Sequence, residues 1–227
     1  MPGLDYNIFA FCDLSMRTSD SDGGASFLAP YASGSKLRIN ESSMDESTTT
    51  DAIDPTYGFD EFIRSMDIIV CGRGHYDQIM HQTSGKWPYP QQRLIVFTET
   101  PLTEPAPACP STSSQPSHHA PPSNAEAFAG TPAELAQKLS KDGIKSRKFK
   151  RQAVWVMGGP KVRGAMLELG EIGRVELVIV PRIMTSSGGV PLWSFGGDEK
   201  QDVELDLIDS RSYENGVVSL SYIPGHH

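Results

Sequence analysis

The sequence predicts one α/β domain with a mixed, mainly parallel sheet that is flanked by helices and ends in an antiparallel hairpin. Three observations support this prediction: apolar runs of strand length alternate with helix-like segments, glycines follow several of these runs, and two alternating segments close the chain. Continuous apolar runs are typical of parallel strands, because helices cover both faces of a parallel sheet. With 227 residues the chain is long enough for one substantial core.

Hydrophobic periodicity predicts the order of the elements. Runs rich in Val, Ile and aromatic residues indicate strands, whereas apolar residues spaced three and four apart indicate helices. Strands are predicted at residues 6–12, 67–72, 93–98, 152–158 and 174–181, and helices at 58–66, 75–81, 131–143 and 160–170.

One helix and the C-terminal hairpin carry the clearest local signals. In the helix at 131–143, Thr131 is the predicted N-cap, a proline follows it, and Glu134 completes a capping box. At 202–224 two alternating segments flank an Asn-Gly pair, which is the dipeptide most typical of a tight β-hairpin.

Two polar segments interrupt the alternation. Residues 17–56 are rich in Ser, Thr, Asp and Gly, and residues 101–124 contain seven prolines with almost no large apolar side chains. Neither segment offers enough apolar surface to offset the entropy lost on ordering. We therefore expect two surface insertions within a single domain that spans residues 1–227.

The chain is acidic, and this limits its partners. Its net charge is −8, and residues 1–60 hold ten acidic against three basic side chains. Such a chain repels nucleic acid and anionic membranes, so neither is an expected partner. Its apolar runs are too short to cross a bilayer, and no basic region precedes the first of them, so a cytoplasmic protein is expected.

The cysteines favour neither a disulfide framework nor a metal site. Cys12, Cys71 and Cys109 are odd in number and far apart. Cys12 and Cys71 lie in apolar runs, where cysteine usually acts as a small hydrophobic residue. No metal is therefore assigned, and the absence of a Gly-x-Ser-x-Gly motif disfavours a hydrolase.

Three predicted strand ends carry residues suited to ligand binding: CGRGHY (71–76), FTET (97–100) and MGGPKV (157–162). In open α/β sheets, ligands bind beyond the carboxyl ends of the strands, where helix N-termini favour an anion. The pair Gly158-Gly159 permits a close backbone approach that a side chain would block. Each end alone is equally typical of a turn, but the three together predict a bound nucleotide.

The order of these motifs resembles a known family. The sequence contains, in this order, DIIVCGRGHY, WPYP, LIVFT, VWVMGGPKVRGAML, VIVP, GGVPLW and GVVSLSY. This set is similar to the dihydrofolate-reductase-like superfamily, and most similar to the reductase domain of the riboflavin-biosynthesis deaminase-reductase and its stand-alone relatives. The resemblance implies an eight-stranded mixed sheet, often in a homodimer, that binds NADPH along the strand ends and a small heterocyclic or sugar-like substrate beside the nicotinamide.

The resemblance also assigns cofactor-binding residues by position. They lie at a strand end or at the start of the following helix, and they are Ala10, Gly72, Arg73, His75, Thr98, Glu99, Gly158, Gly159 and Val162. Ala10 would present backbone to the nicotinamide amide, and Thr98 and Glu99 would lie near the adenosine ribose. The other residues would surround the phosphates.

Several polar positions depart from the family pattern. His75 replaces a threonine whose hydroxyl would contact phosphate, and Glu99 stands where many relatives carry a basic residue for the 2′-phosphate. Glu99 therefore disfavours NADPH, but it can accept a hydrogen bond from the free ribose 2′-hydroxyl of NADH. The family's Ser-Leu-Asp-Gly appears here as CDLS, which displaces its aspartate to Asp13.

Two functions are compatible with this pattern. The first is an NADPH- or NADH-dependent reductase of a small heterocyclic, carbonyl or imine substrate, in which Asp13 is the catalytic residue near the transferred proton. Trp87 and Tyr89 are then the aromatic residues that bind substrate, with Trp87 at the pocket rim and Trp193 in the core. The second is a cofactor-independent enzyme of isomerase or cyclase type, or a small-molecule binder, on a scaffold that has lost its nicotinamide site.

Three basic residues near the predicted turns allow two interpretations each. Arg73 can clamp a phosphate through two hydrogen bonds or can form a surface ion pair. Lys161 and Arg163 can face an anion from the first turn of their helix or can lie on an exposed helical face.

Overall fold

The computed structural model describes residues 4–20, 24–38, 53–103, 120–145, 152–185, 189–196 and 202–225. Predictions that concern Cys109 and the insertion residues 39–52 and 104–119 lie outside the described residues.

Eight of the ten strands in the described residues form one mixed sheet at the centre of the molecule. The ten strands are β1 (Asp5–Cys12), β2 (Ser35–Lys36), β3 (Ile53–Asp54), β4 (Ile68–Gly72), β5 (Arg93–Phe97), β6 (Ala125–Phe128), β7 (Ala153–Gly158), β8 (Ile172–Ile179), β9 (Leu205–Ser212) and β10 (Val218–Pro224). The order across the large sheet is β6-β5-β4-β7-β1-β8-β10-β9. The pairs from β6 to β8 are parallel, and β10 runs antiparallel to both of its neighbours, which confirms the predicted fold class.

Helices cover the two faces of this sheet and bury two separate cores. They are α1 (Phe59–Ser65), α2 (Arg73–Gln82), α3 (Pro132–Lys145) and α4 (Pro160–Glu168). The first core contains apolar side chains of α1 and α2, and the second contains those of α3 and α4. Within the described residues, no helix is long and apolar enough to cross a membrane.

Strand β1 supplies side chains to both cores, because successive side chains of a strand point to opposite faces. Ile8 and Ala10 belong to the second core, whereas Phe9 belongs to the first. All three are buried, so the continuous apolar run of this strand reflects its central place in the sheet.

The structure adds a strand that the sequence did not predict. Strand β6, with the sequence AEAF, pairs with β5 from Leu94 to Phe97 and forms one edge of the sheet. Alanine and glutamate are both less common in strands than elsewhere, so the residue types of this segment do not predict a strand. The C-terminal hairpin is confirmed: β9 and β10 pair antiparallel, and Gly216 in the turn has a φ of 85°.

Part of the first insertion packs against the domain, which its polar composition did not predict. The described residues 24–38 include a 3₁₀-helix, Ser26–Tyr31, whose Phe27 is fully buried in the first core. The hydroxyl of Tyr57 donates to the carbonyl of Tyr31 at 2.9 Å. Most residues of this segment are small or polar, and the buried ring of Phe27 provides the apolar contact that holds the segment against the core.

Helix α3 begins with the predicted capping box. The main-chain N–H of Thr131 donates to Glu134 Oε2 at 2.7 Å, and the N–H of Glu134 donates to Thr131 Oγ1 at 3.3 Å. The carboxylate of Glu134 accepts from the main-chain N–H of Thr131 and also from its hydroxyl, at 3.1 Å, and these two hydrogen bonds lower the pKa of Glu134. The helix then buries Leu135 and Leu139 in the second core.

Removal of the cap should weaken the fold by a small, measurable amount. We expect Thr131→Ala to lower the free energy of unfolding by about 1 kcal/mol, because an N-terminal N–H loses its acceptor. Urea denaturation would measure this. Ser140→Ala, at an exposed position of the same helix, is the matched control and should leave stability unchanged or slightly higher. Equal stability of the two variants would contradict the role given to the capping box.

Candidate functional site

The carboxyl ends of three neighbouring strands meet at one edge of the sheet. In the sheet register, Cys71 of β4 lies opposite Gly158 of β7, and Gly72 lies opposite Phe97 of β5. A Cβ added at Gly72 would lie 3.7 Å from Cγ2 of Val162 and 3.9 Å from the carbonyl oxygen of Gly158. The structure thus brings together three of the residues predicted to surround a nucleotide.

A cleft begins beside this edge, between β1 and β7. These strands pair only from Asp5 to Asn7 of β1, although β1 continues to Cys12 along β8. Beyond Asn7 the main-chain groups of β1 that face β7 are therefore outside the ladder. Ala10 lies in this stretch, but its own N–H and C=O face β8, because alternate residues of a strand direct their main-chain groups to opposite sides. Of the groups that face β7, the carbonyl of Phe9 accepts a hydrogen bond from Trp155 Nε1 at 3.4 Å. Contact between Ala10 and a nicotinamide stays a prediction.

Open space lies above the glycine pair and the start of α2. The Gly158–Gly159 peptide bond is cis, Gly158 has a φ of 143°, and α4 starts directly afterwards. A Cβ added at Gly159 or at Gly74, in the first turn of α2, would meet no atom within 4 Å. The helix N-termini have no side-chain cap, so first-turn N–H groups of α2 are available to an external acceptor. In α4 Pro160 has no N–H, and Val162 and Arg163 donate to the carbonyl of Gly159, so the first turn of this helix offers only the N–H of Lys161.

A buried cation lies directly behind the glycine pair. Arg163 is 4 % exposed, and a Cβ added at Gly158 would lie 2.7 Å from its Nη1. Its Nε donates to the carbonyl of Leu192 at 2.8 Å, and Nη1 donates to the carbonyl of Met157 at 2.9 Å. A longer contact of 3.5 Å joins Nη2 to Thr18 Oγ1.

No carboxylate in the described part of the chain forms an ion pair with Arg163. Burial lowers the pKa of Arg163 to about 10, so the guanidinium remains charged at neutral pH. Both sequence interpretations of Arg163 were incomplete, because the side chain lies neither on an exposed face nor at the surface of the turn. Only the presence of a basic residue four positions after the glycine pair hinted at this role.

His75 lies near this charge in the first turn of α2. Its side chain is partly buried, and its pKa is lowered to about 4 by burial and, secondarily, by the positive charge of Arg163. At neutral pH the imidazole is therefore uncharged, with one nitrogen that can donate and one that can accept. Contact between His75 and a phosphate stays a prediction.

Arg73 is engaged within the chain. Its Nε lies 2.9 Å from Oδ1 and 3.0 Å from Oδ2 of Asp77, and its Nη1 donates to Thr100 Oγ1 and to the Pro101 carbonyl at 3.2 Å each. The side chain is 11 % exposed, so this ion pair is largely internal. It ties the start of α2 to the loop that follows β5.

The two residues predicted beside the adenosine ribose differ in their surroundings. Thr98 is committed to its own turn, since its Oγ1 accepts from the N–H of Thr100 at 3.1 Å and contacts the carbonyl of Thr100 at 3.0 Å. Glu99 is exposed at the same edge. Their contact with a nucleotide stays a prediction.

Asp13 organises the loop that follows β1. Its side chain is fully buried, with Oδ1 accepting from the N–H groups of Ser15 at 2.9 Å and Arg17 at 2.8 Å. Its Oδ2 accepts from the N–H of Met184 at 2.7 Å. The carboxylate therefore joins two loops beside the cleft, and proton transfer by Asp13 stays a prediction that requires one of these bonds to open.

The same loop contains a residue with a left-handed backbone. Met16 has a φ of 56°, a conformation that glycine adopts more readily than any other residue.

The rim position predicted for Trp87 is wrong. Trp87 is 8 % exposed and lies in the first core, with its ring centroid 5.9 Å from those of Tyr76 and Tyr89. Proline-rich flanks suggested exposure, but the ring packs with other aromatic side chains. Tyr89 is partly buried, and its contact with substrate stays a prediction. Trp193, expected in the core, is partly exposed and stacks with Phe195.

The two described cysteines are buried with the apolar residues of the core, as predicted. Cys12 and Cys71 are fully buried and unpaired. Burial raises the pKa of the Cys12 thiol to about 12, and it also raises that of Cys71. Within the described residues, no group of three or more His, Cys, Asp or Glu side chains is arranged to hold a metal ion.

The strand order and the glycine turn between β7 and α4 define the class of this fold, which is dihydrofolate-reductase-like. Similar solved structures include a protein described as a riboflavin biosynthesis protein, a pyrimidine reductase-like protein and a deaminase/reductase. No family model and no curated protein sequence matches the chain.

Three of these structures illustrate the likeness. A Shewanella sp. PV-4 protein described as a riboflavin biosynthesis protein has a TM-score of 0.64 and 16% identity, covering 98% of this chain and 100% of its own. A pyrimidine reductase-like protein of Corynebacterium diphtheriae has a TM-score of 0.54 and 18% identity, covering 99% and 93%. The diaminohydroxyphosphoribosylaminopyrimidine deaminase/5-amino-6-(5-phosphoribosylamino)uracil reductase of Thermotoga maritima has a TM-score of 0.56 and 13% identity, covering 98% of this chain but 57% of its own. At these identities the likeness concerns the fold.

Loss of the buried guanidinium should destabilise the protein strongly. We expect Arg163→Met to lower the free energy of unfolding by about 3 kcal/mol, because two buried carbonyl groups lose charge-assisted hydrogen bonds. Lys161→Met, an exposed position on the same helix, should change it by less than about 0.5 kcal/mol. Chemical denaturation compares the two. Similar stabilities would mean that Arg163 does not hold the three segments together.

His75 should make stability depend on pH in a defined window. Its pKa is about 4 in the folded protein and about 6.5 in the unfolded chain. Since the unfolded chain binds the proton more tightly, stability should fall as pH falls from about 6.5 to 4. Between about pH 7 and about pH 5, we expect the melting temperature of His75→Asn to fall by less than that of the wild type, because the variant has no imidazole to protonate. His81→Asn, on the exposed side of α2, is the control, and equal losses in the three proteins would contradict the neutral imidazole.

Proposed function

We propose that this protein is an NAD(P)H-dependent reductase of a small heterocyclic, carbonyl or imine substrate. One observation carries the proposal: the N-termini of α2 and α4 converge at the glycine pair, and the buried charge of Arg163 lies immediately behind it. This combination favours a ligand with a strongly anionic centre, and the diphosphate of a dinucleotide has that chemistry.

Three features at this edge suit a diphosphate. First-turn N–H groups of α2 and the N–H of Lys161 in α4 supply donors, and the helix dipoles favour negative charge. The open space at Gly74 and Gly159 admits phosphate oxygens close to the backbone. Arg163 lacks an acidic partner among the described residues, so a bound anion would compensate its charge without competing with an internal carboxylate.

The cleft between β1 and β7 suits the reactive end of the cofactor. Main-chain groups of β1 that face β7 beyond Asn7, such as those of Phe11, can bind a carboxamide, and the loop held by Asp13 follows this strand. When bound, a reduced nicotinamide supplies the hydride for a C=N or C=O group. The chain's own residues then position the substrate, exclude water and hold the loops at the cleft. Glu99 favours NADH over NADPH, because a carboxylate repels a 2′-phosphate.

A second function is favoured by the side chains at the same edge. Arg73 is bound to Asp77, and Glu99 adds negative charge where a phosphorylated ribose would need positive charge. A cofactor-independent enzyme or a small-molecule binder would use the cleft without these phosphate contacts. Nucleotide binding separates the two functions.

The first experiment is a melting curve of the protein alone, with NADH and with NADPH. A nucleotide at about 100 times its dissociation constant should stabilise the fold by about 2.7 kcal/mol and raise the melting midpoint by about 5–10 °C. We expect a larger shift with NADH than with NADPH at equal concentration. Gly74→Asp should abolish the shift, because its carboxylate repels phosphate while remaining favourable at a helix N-terminus.

Gly74→Asn is the matched control for Gly74→Asp. It has nearly the same shape but no charge, so it should keep most of the nucleotide-dependent shift. If the wild type melts cooperatively and neither nucleotide moves the midpoint, the reductase proposal is wrong and the cofactor-independent function takes its place. If both Gly74 variants retain the full shift, the nucleotide binds elsewhere.

A further inference from the structure

A polar cavity of about 370 Å³ lies away from the glycine edge. It is on the face of the sheet that carries the first core, and its lining includes Asp5 and Ala153, which begin β1 and β7. The glycine pair follows the opposite end of β7, about 16 Å along the strand. The volume is within the range of small-molecule sites, and no part of the proposed reductase chemistry uses it.

Two buried polar side chains line this cavity without complete partners. Asn7 is 5 % exposed, and its Nδ2 donates to the carbonyl of Asp5 at 2.9 Å, but its Oδ1 accepts no hydrogen bond from the described residues. Ser221 of β10 is 8 % exposed, and its hydroxyl likewise has no hydrogen bond within the described part of the chain. Neither atom belongs to the fully buried, unsatisfied side-chain atoms of the described residues, so both are accessible from the cavity and can accept a hydrogen bond from an occupant.

Glu176 lies between these two residues in the sheet. On the neighbouring strands, Asn7 pairs with Arg174, and Ser221 pairs with Glu176. Glu176 is 20 % exposed, and its Oε1 lies 3.5 Å from Arg174 Nε, which is too long for a strong hydrogen bond. Burial raises the pKa of Glu176, and the charges of Asp209 and Glu61 raise it further, against the opposing charges of Arg174 and Arg211.

The charge of the lining selects the class of ligand. Four carboxylates face two guanidinium groups around the cavity, and the residues are Asp5, Glu61, Glu176, Asp209, Arg174 and Arg211. Arg211 already pairs with Asp209 at 3.0 Å. Asp5 and Glu61 form no ion pair with another described residue. The excess negative charge disfavours an anion and favours a cation.

We propose that this cavity binds a small organic cation with several N–H donors, such as an amine- or guanidine-bearing metabolite. The cationic group lies against the Glu176 carboxylate, and its N–H groups donate to Asn7 Oδ1 and Ser221 Oγ. Guanidinium and ammonium groups match this set, because every one of these atoms can accept a hydrogen bond. The proposal is independent of the reductase proposal, since the two sites share no residue.

Agmatine is a suitable probe, because it carries both an ammonium and a guanidinium group. Calorimetric titration of the full chain at neutral pH should give saturable binding, and glutarate, an anion of similar length, should give none. Glu176→Gln should weaken agmatine binding about tenfold or more, because it removes the charge and keeps the shape. Glu168→Gln, the same charge change at an exposed position of α4, should leave the dissociation constant unchanged.

Ser221→Ala is a second variant for the case in which Glu176→Gln fails to fold. It should weaken agmatine binding several-fold, because it removes one proposed hydrogen-bond acceptor of the cation. Three outcomes would overturn the proposal. Agmatine could fail to bind at concentrations up to about 1 mM. It could bind equally to the Glu176 and Glu168 variants, which would indicate unspecific attraction to an acidic protein. Sedimentation could instead show a dimer that Glu176→Gln dissociates, without agmatine binding, in which case a second copy of the chain covers the cavity.

Discussion

The buried guanidinium of Arg163 is the interaction on which the glycine edge depends. It donates to carbonyl oxygens at the end of β7 and in the segment 189–196, and it reaches the hydroxyl of Thr18 in the loop after β1. A buried charge is tolerated only when polar groups surround it. These three parts of the chain supply the polar groups that surround the buried charge, so their arrangement depends on Arg163. The same side chain supplies positive potential behind Gly158 and adds to the effect of burial, which is the main reason that His75 is uncharged.

The two ends of the sheet present different chemistry because helices cover it unevenly. At the carboxyl ends of β4 and β7, α2 and α4 start beside glycines, and their N-termini offer donors to an anion. Towards the amino ends of β1 and β8, part of the face that carries the first core lies beside α1 and carries paired and unpaired charges instead of apolar side chains. The phosphate-bearing ligand and the cation that we propose would therefore occupy opposite ends of one sheet and would not compete for the same residues.

Structural likeness with 13–18% identity concerns the course of the backbone. In this chain, the loop after β1 shows how a single side chain can fix such a course. The buried carboxylate of Asp13 accepts from the main-chain N–H groups of Ser15, Arg17 and Met184, and Met16 between them adopts a left-handed backbone. Local side-chain acceptors of this kind replace main-chain acceptors where no regular secondary structure is formed.

The sequence alone determined the strands β1, β4, β5, β7 and β8, the four helices and the hairpin, because their signals lie within consecutive residues. Continuous apolar runs, the Thr131–Glu134 capping box and the Asn-Gly turn are properties of short segments. It also placed the glycine edge, since parallel strands end on the same side of a sheet.

Tertiary structure decided the remaining features. Strand β6 exists because β5 offers a free edge, and Phe27 and Trp87 are buried because distant segments surround them. A basic residue in a helix is usually exposed, so the sequence around Arg163 does not predict its burial. Its hydrogen bonds to Leu192 and Thr18, which are distant in the sequence, form only in the folded chain. Burial depends on contacts between segments distant in sequence, which local periodicity does not encode.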